Sequence, residues 1–294
     1  MPRRRIWHRL HDRAWTEYGK VFSHPAGIEA AGNTANARSS ISQETPWVAT
    51  CSAFADGRID STDFRRNSAI REIVETVGPV DGRFYAACAD AWGPGFLTDP
   101  RIASIDDWGN PLRWPAALLG TPRAFSPTTL RYLATALWLR KNGYVTDGAQ
   151  ILEIGVGFGG LAATNAVVSG ATTSLVDLPP VENAALRMLG ELGLGSFGKT
   201  GTETHQEPDL VISNYAFTEL NSSVQQEYLD RHLRHARRGV IVSNSAVFAS
   251  SIRGRSDEDL IAWLNAAGIP AKLARTNELL GPSDHICAVT LIHW

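Results

Sequence analysis

The second half of the chain alternates short apolar runs with longer segments whose apolar residues recur at helical spacing. This alternation is typical of a parallel sheet that is covered by helices on both faces. The last two apolar runs have no long helix between them, which predicts a terminal antiparallel hairpin. The predicted strands are 151–154, 173–176, 210–213, 240–243, 271–275 and 286–293.

Residues that are typical of helix starts separate these strands. Ser126 and Pro127 supply a capping hydroxyl and a proline at the first helical position. The prolines at 179–180 precede another amphipathic segment, the spacing over 222–225 is that of a capping box, and Ser256 precedes three acidic residues. Each of these signals predicts a helix on the chain that connects two strands.

The chain before this alternating pattern has a different character. Residues 25–46 are dominated by Gly, Ala, Asn, Ser and Thr, which predicts a flexible segment. Ile70 and Ile73 belong to a group of apolar residues at helical spacing. We therefore expect a mainly helical accessory region over 1–120, followed by a doubly wound α/β domain over 121–294. The accessory region would serve as a lid or as a contact in a homodimer.

Composition narrows the classes of partner. The 294 residues are 44% hydrophobic and carry a net charge of -2, from 28 basic and 30 acidic side chains. With so small a net charge, the protein has no overall positive electrostatic potential that would attract nucleic acid or an anionic membrane. Cys51, Cys88 and Cys287 are too few and too widely spaced for a disulfide framework, so a reducing cytoplasm is expected. The cysteines also form no paired zinc-binding pattern, so no metal site is expected. We expect no membrane span, because no apolar run reaches about 18 residues.

A glycine-rich run follows the first predicted strand and precedes an alanine-rich helix. Gly155, Gly157 and Gly160 match the spacing G-x-G-x-x-G, which alone does not identify the cofactor. Glu153 is more informative, because its carboxylate can meet the ammonium of an S-adenosylmethionine (SAM) methionine moiety but would repel a dinucleotide pyrophosphate. The run thus predicts a SAM site that includes Glu153, Gly155, Gly157 and Gly159.

The second predicted strand ends in Asp177, 22 positions beyond Gly155. A carboxylate at this place can accept hydrogen bonds from both hydroxyls of a ribose. An aspartate before Pro180 is equally suited to cap a helix. In combination with Glu153, the cofactor role is favoured for Asp177 and for the adjacent Leu178.

Several longer motifs resemble the bacterial family of sugar O-methyltransferases, a branch of the class I SAM-dependent methyltransferases. The resemblance covers about 102–245, and the segments 126–132 and 213–217 are its most specific parts. It implies a seven-stranded, Rossmann-like methyltransferase sheet and transfer of a methyl group from SAM to oxygen. The acceptor that the family name implies is a sugar hydroxyl, in natural-product or glycan biosynthesis. The motifs are 108–111, 126–132, 153–160, 176–179 and 213–220.

The chemistry of methyl transfer suggests which residues form the site. The displacement at a sulfonium depends mainly on alignment, whereas a hydroxyl acceptor also needs a base. Glu219 and His285 are the candidate bases, although a helix-start charge and a structural histidine are the competing interpretations. Ser213 and Asn214, at the end of a predicted strand, complete the expected cofactor contacts.

Four further residues are expected to contact the acceptor. Arg131 and Tyr132 lie in the first turns of a predicted helix, where the arginine could hold a carboxylate of the cofactor or clamp the acceptor. Tyr215 and Asn244 follow two predicted strands, at the sheet edge where transfer would occur. For the aromatic residues, packing beneath the loop is an equally reasonable interpretation.

Three other functions remain open at the level of sequence. A methyltransferase for a carboxylate, such as a small acid or a peptide C-terminus, would need no base. An NAD-linked oxidoreductase would use the same glycines and bind no S-adenosylhomocysteine (SAH). A non-catalytic SAM-binding protein would bind the cofactor without turnover.

Overall fold

The computed structural model describes residues 40, 42–43, 45–201, 207–275 and 290–294. It contains a seven-stranded sheet in the order β3-β2-β1-β4-β5-β7-β6, which confirms the predicted α/β fold class. The strands are β1 (Gln150–Ile154), β2 (Thr172–Val176), β3 (Gly198–Thr200), β4 (Leu210–Asn214), β5 (Gly239–Ser243), β6 (Lys272–Arg275) and β7 (Thr290–His293).

The first five strands are parallel, and β7 runs antiparallel to both β5 and β6. This arrangement confirms the predicted terminal hairpin, while 286–289 lie outside the described residues. The sequence pattern missed β3, because three half-buried residues are too few to show a periodic signal. The strand order changes direction at β1 and β4, which places the ends of these two strands at a switch point of the sheet.

Helices cover both faces of the sheet. One face packs against α6 (Pro127–Lys141), α7 (Gly160–Ser169) and α8 (Pro179–Glu191). The other face packs against α9 (Ser222–Arg231) and α11 (Asp257–Ala266), and α10 (Ser245–Ile252) follows β5 directly. The core is therefore divided by the sheet into two apolar clusters.

The described N-terminal part is helical, as predicted. Its buried side chains belong to the same apolar cluster as those of α6, α7 and α8, so the N-terminal helices and the sheet share one continuous core. Of the predicted flexible segment, most lies outside the described residues, and Pro46 already begins a helix. The helices are α1 (Pro46–Ala55), α2 (Ser68–Ile73), α3 (Pro79–Trp92), α4 (Pro100–Asp107) and α5 (Ala116–Leu119).

The helix starts follow most of the predicted signals. Ser126 caps α6 by accepting a hydrogen bond from the Thr128 amide, and Ser256 caps α11. The capping residue of α9 was wrongly placed at Ser222: the side chain of Asn221 accepts the hydrogen bonds instead, because an asparagine carbonyl reaches the same free amides. None of the helices in the described ranges is long and apolar enough to cross a membrane.

Candidate active site

The glycine-rich run forms a tight loop between β1 and α7. Gly155, Gly157 and Gly159 all have left-handed backbone angles, with φ of 78°, 56° and 91°. A Cβ atom at Gly155 would lie only 1.9 Å from the Cβ of Ala216, in the loop after β4. Glycine is therefore required for both conformation and space, and the loops after β1 and β4 approach closely at the switch point.

Asp177 connects the end of β2 to this glycine loop. Its Oδ2 accepts a hydrogen bond from the Val156 amide at 2.8 Å, and its Oδ1 accepts one from the Leu178 amide at 2.8 Å. Burial raises the pKa of Asp177 to about 6. Helix α8 begins after Leu178 without a side-chain cap. The carboxyl group of Asp177 thus belongs to the loop rather than to the helix start.

Glu153 is a buried acidic residue at the end of β1. Only 2% of the residue is exposed, and its Oε2 has no hydrogen-bond partner within the described residues. Burial, and then the nearby charge of Asp177, raises the pKa of Glu153 well above its usual value. A buried carboxyl oxygen without a partner is costly unless a ligand supplies a donor. Glu153 therefore suits a cationic or hydrogen-bond-donating group beside the glycine loop.

The N-terminal helices cover the glycine loop. Val74 would meet a Cβ at Gly157 at 3.2 Å, and the guanidinium of Arg65 lies 4.8 Å from the ring centre of Phe158. Arg65 is fully buried, with 0% exposure. The described accessory region is thus a structural cover of the loop, and its part in the site was not visible as a sequence motif.

A buried ion pair holds this cover in place. Arg65 Nε donates to Glu75 Oε1 at 2.5 Å, and Arg65 Nη2 donates to the hydroxyls of Ser126 and Thr129 at 3.1 Å each. Ser126 also donates to Glu75 Oε2 at 3.0 Å. Asp106 accepts a hydrogen bond from the Ser126 amide at 3.0 Å. The start of α6 is therefore fixed by side chains that lie 20 to 64 positions away.

Ser213 joins the ends of β1 and β4. Its hydroxyl donates to the Ile154 carbonyl and accepts from the Phe217 amide, both at 2.9 Å. The residue is completely buried. Ser213 thus fixes the loop after β4, and its predicted contact with the cofactor stays a prediction.

Tyr215 and Arg131 lie together near the end of β4. The backbone of Tyr215 has a φ of 75°, which is unusual for a residue other than glycine. The Arg131 guanidinium lies 5.4 Å from the Tyr215 ring centre and 5.3 Å from that of Tyr132. Tyr132 is buried and also meets Phe158 edge-on. The predicted Arg131, Tyr132 and Tyr215 are thus brought together, and Asn214 lines the same cavity as Arg131 and Tyr215.

The predicted base Glu219 is paired with Asn244. The Asn244 Nδ2 atom donates to Glu219 Oε1 at 2.6 Å, and Asn244 Oδ1 accepts from the Thr218 hydroxyl at 2.5 Å. Burial raises the pKa of Glu219, and the hydrogen bond from Asn244 opposes this rise. The structure brings these residues together from two strand ends, whereas the other base candidate, His285, lies outside the described residues.

The comparisons with known proteins concern solved structures. No family model matches the chain, and no curated protein matches it. The mitomycin 7-O-methyltransferase MmcR is 18% identical, with a TM-score of 0.38 and 56% of each chain covered.

Two further solved structures show a similar degree of likeness. A SAM-dependent O-methyltransferase from Thermotoga maritima is 15% identical, with a TM-score of 0.37 and coverage of 55% of this chain and 63% of that one. A phosphoethanolamine N-methyltransferase from Haemonchus contortus, solved with SAH, is 18% identical, with a TM-score of 0.41 and coverage of 51% and 39%. The likeness thus spans less than two thirds of each of these three proteins.

Proposed function

We propose that the protein is a SAM-dependent methyltransferase that transfers a methyl group to an oxygen of a small-molecule acceptor. The observation that carries this proposal is the Oε2 of Glu153, which is buried at the end of β1 beside the glycine loop and has no hydrogen-bond partner among the described residues. The loop itself is connected to Asp177 through the Val156 amide. An acidic pocket beside a glycine turn, at a switch point of a parallel sheet, fits an adenosyl ligand that carries a positive charge.

The residues of this site favour SAM over a dinucleotide. The ammonium of the methionine moiety would donate to Glu153 and offset the cost of its burial, whereas a pyrophosphate would meet a like charge. The ribose hydroxyls would donate to Asp177, whose oxygens also accept from the loop amides. When bound, SAM supplies an electrophilic methyl group that needs only a correctly placed nucleophile.

Glu219 supports a hydroxyl group as the acceptor. A hydroxyl becomes a good nucleophile as its proton leaves, and Glu219 would take that proton on its carboxylate. Its raised pKa improves it as a base, and Asn244 fixes the carboxylate through a 2.6 Å hydrogen bond. Within the hydroxyls, we assign a sugar hydroxyl, in natural-product or glycan biosynthesis, because the segments 126–132 and 213–217 resemble those of sugar O-methyltransferases.

Calorimetry with SAH, SAM and NAD tests the cofactor. We expect saturable binding of SAH and SAM, and none of NAD. The variant Glu153→Gln should weaken SAH binding by about ten- to hundredfold, the effect of a lost hydrogen bond to a charged group. Glu258→Gln makes a matched control, because Glu258 is exposed on α11. Absence of SAH binding by the folded wild-type protein would overturn the proposal.

Turnover is tested by incubation with SAM and a panel of sugars, with detection of a one-methyl mass increase. Glu219→Gln should abolish transfer to a hydroxyl while SAH binding persists. Transfer to a neutral sugar that survives this substitution would contradict the role of Glu219 as the base. Transfer that occurs only to sugars with a carboxylate, and that survives it, would indicate a carboxylate acceptor, which is already ionised. Cofactor binding without turnover on any acceptor would indicate a non-catalytic SAM-binding protein.

A further inference from the structure

A small cavity lies between α6 and the sheet, close to the end of β4. Its volume is about 30 Å³, and Tyr85, Arg131, Trp138, Asn214 and Tyr215 are among its lining residues. One water needs at least about 10–15 Å³ of such space, so the cavity has room for about two water-sized atoms. The two oxygens of a carboxylate group match this size.

Arg131 brings an unbalanced positive charge to the cavity. It makes no ion pair with any described residue, and its buried Nε has no hydrogen-bond acceptor within the described chain. Arg113, which is also partly exposed, is paired with Asp106, and the fully buried Arg65 is paired with Glu75. A buried guanidinium donor without an acceptor is costly, and an anionic ligand would remove that cost.

Two aromatic rings restrict the orientation of this guanidinium. The centres of the Tyr132 and Tyr215 rings lie 5.3 Å and 5.4 Å from Arg131 Cζ, within the range of cation–π contacts. The Arg131 side chain also forms a hydrogen bond with the Tyr132 side chain, while its Nε keeps a donor without an acceptor within the described residues. Tyr215 has a left-handed backbone conformation, with a φ of 75°. A planar, bidentate anion is the ligand that fits the edge of a guanidinium.

The cavity is separate from the predicted cofactor loop. None of Glu153, Gly155 and Asp177 lines it, whereas Asn214 and Tyr215 at the end of β4 do. From this separation, and on the basis of the proposed function, we infer that Arg131 anchors a carboxylate of the acceptor. The acceptor is then a hydroxy acid, such as a uronic acid, that is methylated on a hydroxyl. The carboxylate itself is a poor methyl acceptor at this position, because hydrogen bonds from the positively charged Arg131 would make its oxygens less nucleophilic.

Binding to the SAH-loaded protein tests this subsite. Methyl glucuronoside and methyl glucoside differ at one carbon, which is a carboxylate in the uronoside and a hydroxymethyl group in the glucoside. We expect the uronoside to bind about ten- to hundredfold more tightly by calorimetry. The substitution Arg131→Gln should remove this preference, and Arg131→Lys should retain part of it. Arg140→Gln is the control, because it removes the same charge from an exposed position of the same helix and should leave the preference unchanged.

Benzoate and benzamide provide a comparison that does not depend on the sugar. Saturable binding of benzoate alone, lost in Arg131→Gln, supports a carboxylate subsite. The inference is overturned if wild-type protein prefers neither the uronoside nor benzoate to its neutral partner. It is also overturned if Arg131→Gln keeps the preference and weakens SAH binding instead, which would assign Arg131 to the cofactor carboxylate.

The same titrations separate this inference from the proposed function. SAH binding is measured first on each preparation. Wild-type protein that binds SAH without any preference for carboxylates overturns the subsite and leaves the methyltransferase proposal intact. Wild-type protein that does not bind SAH overturns the methyltransferase proposal.

Discussion

Asn244 and Glu219 are joined by a hydrogen bond of 2.6 Å from Nδ2 to Oε1, although they follow different strands. The other end of the Asn244 amide accepts from the Thr218 hydroxyl at 2.5 Å. Both ends of the amide are therefore used, which fixes the direction in which it presents its donor to the carboxylate. This relationship changes the role of Asn244, which was expected to contact the acceptor directly. We now expect it to position Glu219.

Substitution of Asn244 should alter the pH dependence of turnover. The hydrogen bond from Asn244 lowers the pKa of Glu219, so Asn244→Ala should raise that pKa further. A bond to a charged group contributes about 1.5–3 kcal/mol, so the acidic limb of the kcat profile should move upward by about one to two pH units. If kcat were lower at every pH while the acidic limb of the profile stayed in place, Asn244 would have a structural role only. Asn265→Ala, near the C-terminal end of helix α11, is the control, because its side chain donates to the carbonyl of Ile261 in its own helix.

Cofactor affinity should depend on the ionisation of Asp177. Burial raises its pKa to about 6, so the carboxylate is increasingly protonated below that pH and loses acceptors for the ribose hydroxyls. SAH affinity should therefore fall as the pH decreases through about 6. Calorimetry between pH 5 and 8 measures this, with Asp177→Asn as the comparison. A wild-type profile as flat as that of the variant would contradict the assignment.

The same raised pKa has an opposite consequence for the stability of the free protein. Because folding favours the protonated form of Asp177, the contribution of this group to the free energy of unfolding decreases as the pH rises through about 6. SAH should reverse this trend by binding the ionised form. Denaturant unfolding with and without SAH, at pH 5 and pH 7, measures both effects.

The buried pair of Arg65 and Glu75 should contribute strongly to folding of the N-terminal cover. Removal of one partner leaves a buried charge, which costs about 3–5 kcal/mol. We therefore expect Arg65→Met to lower the free energy of unfolding by this amount in denaturant titrations. Arg58→Met is the matched control, because its pair with Asp56 is exposed and such pairs contribute less than about 1 kcal/mol. Equal losses in the two variants would contradict the structural role of the buried pair.

Gly155 and Gly148 offer a test of the glycine loop. Both have left-handed backbone angles, with φ of 78° and 74°. A Cβ at Gly155 would lie 1.9 Å from the Cβ of Ala216, whereas a Cβ at Gly148 meets nothing within 4 Å. Gly148→Ala should cost about 1 kcal/mol from backbone strain. Gly155→Ala should destabilise the protein more and abolish SAH binding. SAH binding by Gly155→Ala at wild-type affinity would separate this turn from the cofactor site.

Sequence alone determined the features that depend on local periodicity. The four long parallel strands and the terminal hairpin show as apolar runs, because every residue of a buried strand meets a covered face. Ser126 and Pro127 predicted the start of α6, because a cap is a relationship between neighbours. Glu153 and the glycines were likewise visible, since their geometry depends on adjacent residues at a strand end.

Only the tertiary structure decided which distant residues meet. The contacts of Arg65 with Glu75 and Ser126 join three segments across up to 61 positions, and no local pattern encodes such pairing. The pairing of Asn244 with Glu219 likewise depends on β4 and β5 ending side by side. Local patterns set the elements, whereas contacts between them depend on how the whole chain packs.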